Sequence, residues 1–69
     1  MKVFHEELDQ RFEINYGDKM SISMFKLCAA LYIEGKEINK VFAKNKEGEK
    51  RELLHFVGEL EPNETITIT

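Results

Sequence analysis

The chain has one cysteine, Cys28, and one proline, Pro62. A single cysteine cannot form a disulfide within the chain. A zinc site would have to draw on Cys28, His5, His55 and a carboxylate, with none of the paired CxxC or HxxxH spacings. No structural metal and no cofactor is therefore expected. The chain also has no long apolar run. Its longest, Met24 to Ile33, is interrupted by Lys26 and falls well short of the roughly 20 residues a membrane span needs. At the N-terminus, Glu6 and Glu7 stand where the apolar segment of a secretory signal would lie. A lone thiol in an apolar stretch suits a reducing compartment, so the expectation is a cytoplasmic protein with no membrane partner.

No glycine-rich phosphate loop, no nucleophile elbow and no calcium-loop spacing is present. His5 lies beside two glutamates near a terminus and reads as solvated. His55 has no local partner for proton transfer. Cys28, between Leu27 and Ala29-Ala30, lacks the electropositive setting of a reactive thiol and reads as buried and inert. No catalytic residue is assigned, and the chain is not expected to be an enzyme.

Sixty-nine residues suffice for one domain, spanning 1–69. The core of so short a chain contributes no more than roughly 3–5 kcal/mol of net stability, and small domains often draw further support from a partner subunit. Net charge is −3, which excludes the strongly basic profile of a typical nucleic-acid binder. The charge is unevenly spread: residues 1–18 carry a net −3, residues 36–51 a net +3 and residues 52–69 a net −4.

Alternation marks several strands. In Arg11 to Tyr16, residues Phe12, Ile14 and Tyr16 share a face, and Met20, Ile22 and Met24 do the same beyond the turn Gly17-Asp18-Lys19. Residues 25–33 fit either a strand buried on both faces or a helix capped by Ser21 or Ser23 and ended at Gly35. The strand is preferred here, because Glu34 to Glu37 resembles a hairpin turn into Ile38 to Lys44. Asn45 to Glu49 and Glu61 to Glu64 read as turns. Lys50 to Leu60 fits strand or helix, and Thr65 to Thr69 alternates as a strand. The predicted fold is all-β, a small antiparallel sandwich or barrel of five to six short strands. The alternative is an α+β domain with one helix at about 22–34 packed on an antiparallel sheet.

Two candidate surfaces follow. Lys40, Phe42 and Lys44 alternate along one strand face, an aromatic ring between two cations, and Lys46 and Arg51 extend the basic segment. Thr65, Ile66, Thr67, Ile68 and Thr69 carry no charge and no proline, which at a sheet edge invites strand pairing. The function expected first is a small non-enzymatic protein-binding module, of the kind that inhibits a host protein in phage or mobile elements. Its partner is another protein or a second copy of itself. A second reading is an oligomeric small-ligand or nucleotide-binding protein with Lys40, Lys44 and Arg51 lining a pocket between subunits. A third is a small β-barrel nucleic-acid binder, against which the acidic ends argue.

Overall fold

The computed structural model describes residues 2–15, 17 and 19–69. Five strands form one mixed sheet: β1 (Lys2–His5), β2 (Gln10–Glu13), β3 (Val41–Lys44), β4 (Lys50–Glu52) and β5 (Thr65–Ile68). One helix, α1 (Ile22–Tyr32), and a 3-10 turn at Val57–Glu59 complete the elements of the described residues. The spatial order is β2-β1-β5-β3-β4. β1 and β5 run parallel; every other pair is antiparallel.

The all-β sandwich or barrel expected from hairpin spacing is thus not formed. Residues 25–33, preferred above as a strand, are helical to Tyr32, and the Met20–Met24 alternation is absorbed into the start of that helix. The α+β alternative fits, except that its sheet is mixed. Local chemistry explains the helix. Ser21 is the N-cap: its hydroxyl accepts the Met24 backbone N–H at 3.1 Å. Ile22 N–H donates to the His55 carbonyl at 2.9 Å, which satisfies another first-turn donor. At the other end Gly35, at φ +78°, donates to the Ala30 carbonyl at 2.8 Å. Glu34-Gly35 therefore closes the helix and does not turn a hairpin. At the turn expected at 17–19, the Met20 N–H donates to the Gly17 carbonyl at 3.0 Å. Tyr16 and Asp18 lie outside the described residues.

The sheet has a covered and an open face. Val3 and His5 on β1, Ile66 and Ile68 on β5, and Val41 and Ala43 on β3 line the covered one. Ile22, Phe25, Ala29 and Ile33, from one side of the helical segment, complete the core with Ile14, Ile38, Leu53 and Val57. The Phe12 ring of β2 stacks on Tyr32 at 5.1 Å between centroids and closes one side.

Two expectations about single residues need correction. His5 is not solvated but fully buried, because it alternates with Phe4 and faces inward beside Ile68. Its Nδ1 accepts the Leu8 N–H at 3.1 Å, and its Nε2 has no partner. Cys28 is not buried but partly exposed, because the helix turns it away from the sheet.

Candidate functional site

The residues named from sequence do not converge on one surface. Phe42 and Lys44 lie on the open face of β3, with exposed Lys40 immediately ahead of the strand. Lys46 is exposed in the 45–48 turn. Arg51 pairs across the sheet with Ala43, a covered-face position, so it lies on the opposite side from Phe42. Its guanidinium is also committed within the chain. One nitrogen donates to the Glu59 carbonyl and to the Glu64 carboxylate, each at 2.7 Å.

That carboxylate also accepts the Glu61 N–H, while Glu59 accepts the N–H groups of His55 and Phe56. The backbone bond from Glu61 holds the Glu64 carboxyl below its ordinary value, with Arg51 adding to the effect. The bonds from Phe56 and His55 do the same for Glu59. The Glu64 bond holds the Arg51 guanidinium above its ordinary value. This cluster pins the 53–64 segment to β4, which is a structural task.

The C-terminal strand does not lie at an edge. β5 is the middle strand, hydrogen-bonded to β1 on one side and β3 on the other. Its backbone is spent in the ladder, and the strand pairing expected of Thr65 to Thr69 has no free groups to use. The true edges are β2 and β4. Both are short, with the sequences QRFE and KRE, and charge on an edge strand opposes further pairing.

The open sheet face gains residues that sequence reading passed over. Phe4, Thr67 and Phe42 are cross-strand neighbours in one row. The Arg11 guanidinium sits 5.3 Å from the centre of the Phe4 ring and the Lys50 ammonium 5.1 Å from that of Phe42. Lys50 also pairs with Glu6 at 2.7 Å. Thr67, between the two rings, is only 2% exposed. A base or ring stacking on Phe42 would have to displace Lys50 from both partners.

The outer face of α1 differs from all of these. Met24, Leu27 and Leu31 are 50%, 67% and 79% exposed, on the side opposite Phe25 and Ala29. Lys26 is the only charged residue in the helix, and it is partly buried. A helix with one face on a sheet normally carries charge on the other. Ser23, Lys26, Leu27 and Ala30 border a groove of about 550 Å³ that runs to Gly35, Glu37 and Ile38. Phe56, also exposed, pairs through its backbone with Ser21 and stands at the N-terminal end of the same helix. The signal in the sequence is the near absence of charge over 24–33, which fits an exposed apolar face as well as burial.

Among the described residues no group of three His, Cys, Asp or Glu side chains is placed to hold a metal ion, and no helix is long and apolar enough to cross a membrane. No family model, no curated protein and no solved structure matches this chain.

Proposed function

We propose that this chain is a non-catalytic protein-binding module whose contact surface is the outer face of α1. The observation that carries this reading is the row Met24, Leu27 and Leu31, at 50–79% exposure, on a helix with one charge. Large apolar side chains in a contiguous exposed row mark contact surfaces more often than single exposed residues do. The other surfaces support binding less. The edges carry charge, and the rings of the open sheet face lie under their own cations. A compact binder of this size suits inhibition of a larger host protein by occlusion. The nucleotide-pocket reading is weakened by Arg51, which faces away from Phe42 and is tied to Glu64.

The test compares proteins retained from a host extract by the wild-type chain, Leu31→Asp and Lys44→Ala, each checked for fold by circular dichroism. A protein retained by wild type and Lys44→Ala but lost by Leu31→Asp supports the helix face. Loss with Lys44→Ala and retention with Leu31→Asp moves the contact to the open sheet face and refutes the reading.

A further inference from the structure

Phe4 and Phe42 share one row of the open sheet face, with only β5 between their strands. Two strand spacings, roughly 10 Å, separate them. Both rings are partly exposed, and each turns its flat side to a cation, Arg11 or Lys50. Four bases, Lys2, Arg11, Lys44 and Lys50, project from the strands of this face against two acids, Glu13 and Glu52. We infer that this face binds single-stranded nucleic acid, with a base stacked at each ring and phosphates on the four cations. The site lies across the sheet from α1 and does not depend on the contact proposed there.

Charge complementarity is the first support. The chain carries −3, yet four bases against two acids leave the strands of this face at +2. Glu6 reaches this face as the partner of Lys50. The acidic C-terminal segment, which argues against nucleic acid in the sequence, is engaged elsewhere. Glu64 is held by Arg51, on the opposite side from Phe42, and Glu59 by the N–H groups of His55 and Phe56.

The cations over the rings are the second. An apolar protein partner would have to bury Arg11 and Lys50, whereas a polyanion meets them with phosphate. The side chains of Lys50 and Glu6 are 37% and 32% exposed, and so exposed a pair contributes little. A phosphate can therefore take the place of Glu6, and Lys50 then leaves Phe42 open to a base. Beside Phe4 there is already a groove of about 410 Å³. Its polar lining is Lys2, Arg11, Thr65 and one acid, Glu13, and Val3, Phe12 and Ile66 complete it. Two rings so far apart favour a strand over a free nucleotide, whose single base can stack on only one of them. Stacking and phosphate contacts read no base edge, so binding is tolerant of sequence, with a dissociation constant on the order of 1–100 µM.

The experiment is fluorescence anisotropy of a labelled thymidylate strand of about 12 nucleotides, titrated with the full chain at several salt concentrations. The expected result is binding whose log K falls against log salt with a slope of roughly −2 to −3, as three to four neutralised phosphates on a single strand require. Phe4→Leu and Phe42→Leu keep an apolar side chain but lose the ring, and each weakens binding roughly 5- to 100-fold. Lys44→Ala makes the slope shallower by about 0.7. Leu31→Asp, across the sheet, leaves binding within about twofold, so this site and the helix face fail separately. Circular dichroism checks each fold. Should a leucine variant fail to fold, preference for the strand over a duplex of equal length gives the same information, since a duplex offers no free base to stack. No binding up to about 1 mM chain at low salt, affinity indifferent to both leucine variants, or equal affinity for the duplex overturns the inference. Thymidine monophosphate competing as well as the strand, mole for mole, also overturns it, because the ligand is then a free nucleotide.

Discussion

Removing the Ser21 hydroxyl tests how α1 is started. Its first turn has no acidic residue to meet the positive end of the helix dipole. Two donors of that turn have named partners: Ile22 N–H on the His55 carbonyl at 2.9 Å and Met24 N–H on Ser21 Oγ at 3.1 Å. Ser21→Ala deletes the second and leaves the first, because the bridge between Ser21 and Phe56 is made by backbone. The lost cap costs about 1 kcal/mol, within a range of roughly 0.5–2 kcal/mol. In a domain of this size that lowers Tm by roughly 4–8 °C. Ser21→Asp keeps an acceptor and adds charge at the positive end, so it holds or raises Tm. Ser23→Ala removes a hydroxyl at an exposed position within the helix and stays within about 0.5 kcal/mol of wild type. The assay is thermal and urea unfolding followed at 222 nm. Equal losses in Ser21→Ala and Ser23→Ala, or a loss in Ser21→Asp matching that of Ser21→Ala, would refute the capping geometry.

Phe25 is fully buried between helix and sheet, and Phe25→Ala costs about 3–5 kcal/mol, comparable with the whole stability of so small a domain. Urea unfolding should therefore find this variant largely unfolded in the absence of denaturant. Glu59 and Glu64 have carboxyls held below their ordinary value of 4.5, chiefly by backbone N–H groups, so their contribution is present above that pH. It is lost as pH falls through the lowered folded values, so stability measured by urea should decline below about pH 4.5 and decline less in Glu64→Gln. At His5, Nε2 is buried without a partner, so His5→Leu relieves an unpaired donor while giving up the Leu8 N–H bond, and its net effect stays within about 1 kcal/mol. His5→Ala leaves a void instead and costs about 2–4 kcal/mol; equal losses in the two would contradict that account of the imidazole.

The parts of the fold that rest on neighbours in sequence were legible. The cap at Ser21 or Ser23, the glycine stop at 35, the turns at 45–49 and 61–64 and the alternation of Thr65 to Ile68 all involve contacts a few residues apart. What failed depends on distance in the chain. Thr65 to Thr69, without charge or proline, suits an edge open to pairing, yet β5 enters between β1 and β3, and nothing local encodes that insertion. His5 looked solvated beside Glu6 and Glu7, and its burial follows from pairing with Ile68, 63 positions away. Arg51 reads from sequence as lining one pocket with Lys40 and Lys44. Its true side is fixed by the β3–β4 register, in which it meets Ala43 and not Phe42. A shift of one residue there would have reversed the outcome.

The helix failed for a different reason, which bears on function. An amphipathic helix is recognised by polar residues at the positions facing water. In α1 those positions hold Met24, Leu27 and Leu31, so the helix period vanishes and the segment resembles a strand buried on both sides. Folding of the single chain does not require those side chains. At 79% exposure Leu31 gains little from the core, and a lysine or glutamate there would alter the stability of the lone chain by no more than about 0.5 kcal/mol. The sheet is guarded: β4 is wholly charged, and the two rings of the open face lie beneath Arg11 and Lys50, although Leu54 and Phe56 beyond β4 are exposed. An exposed apolar row at positions where folding gains little, on a helix with one charge, supports contact with another chain. The residues that concealed the helix in the sequence are thus the ones proposed to carry the function.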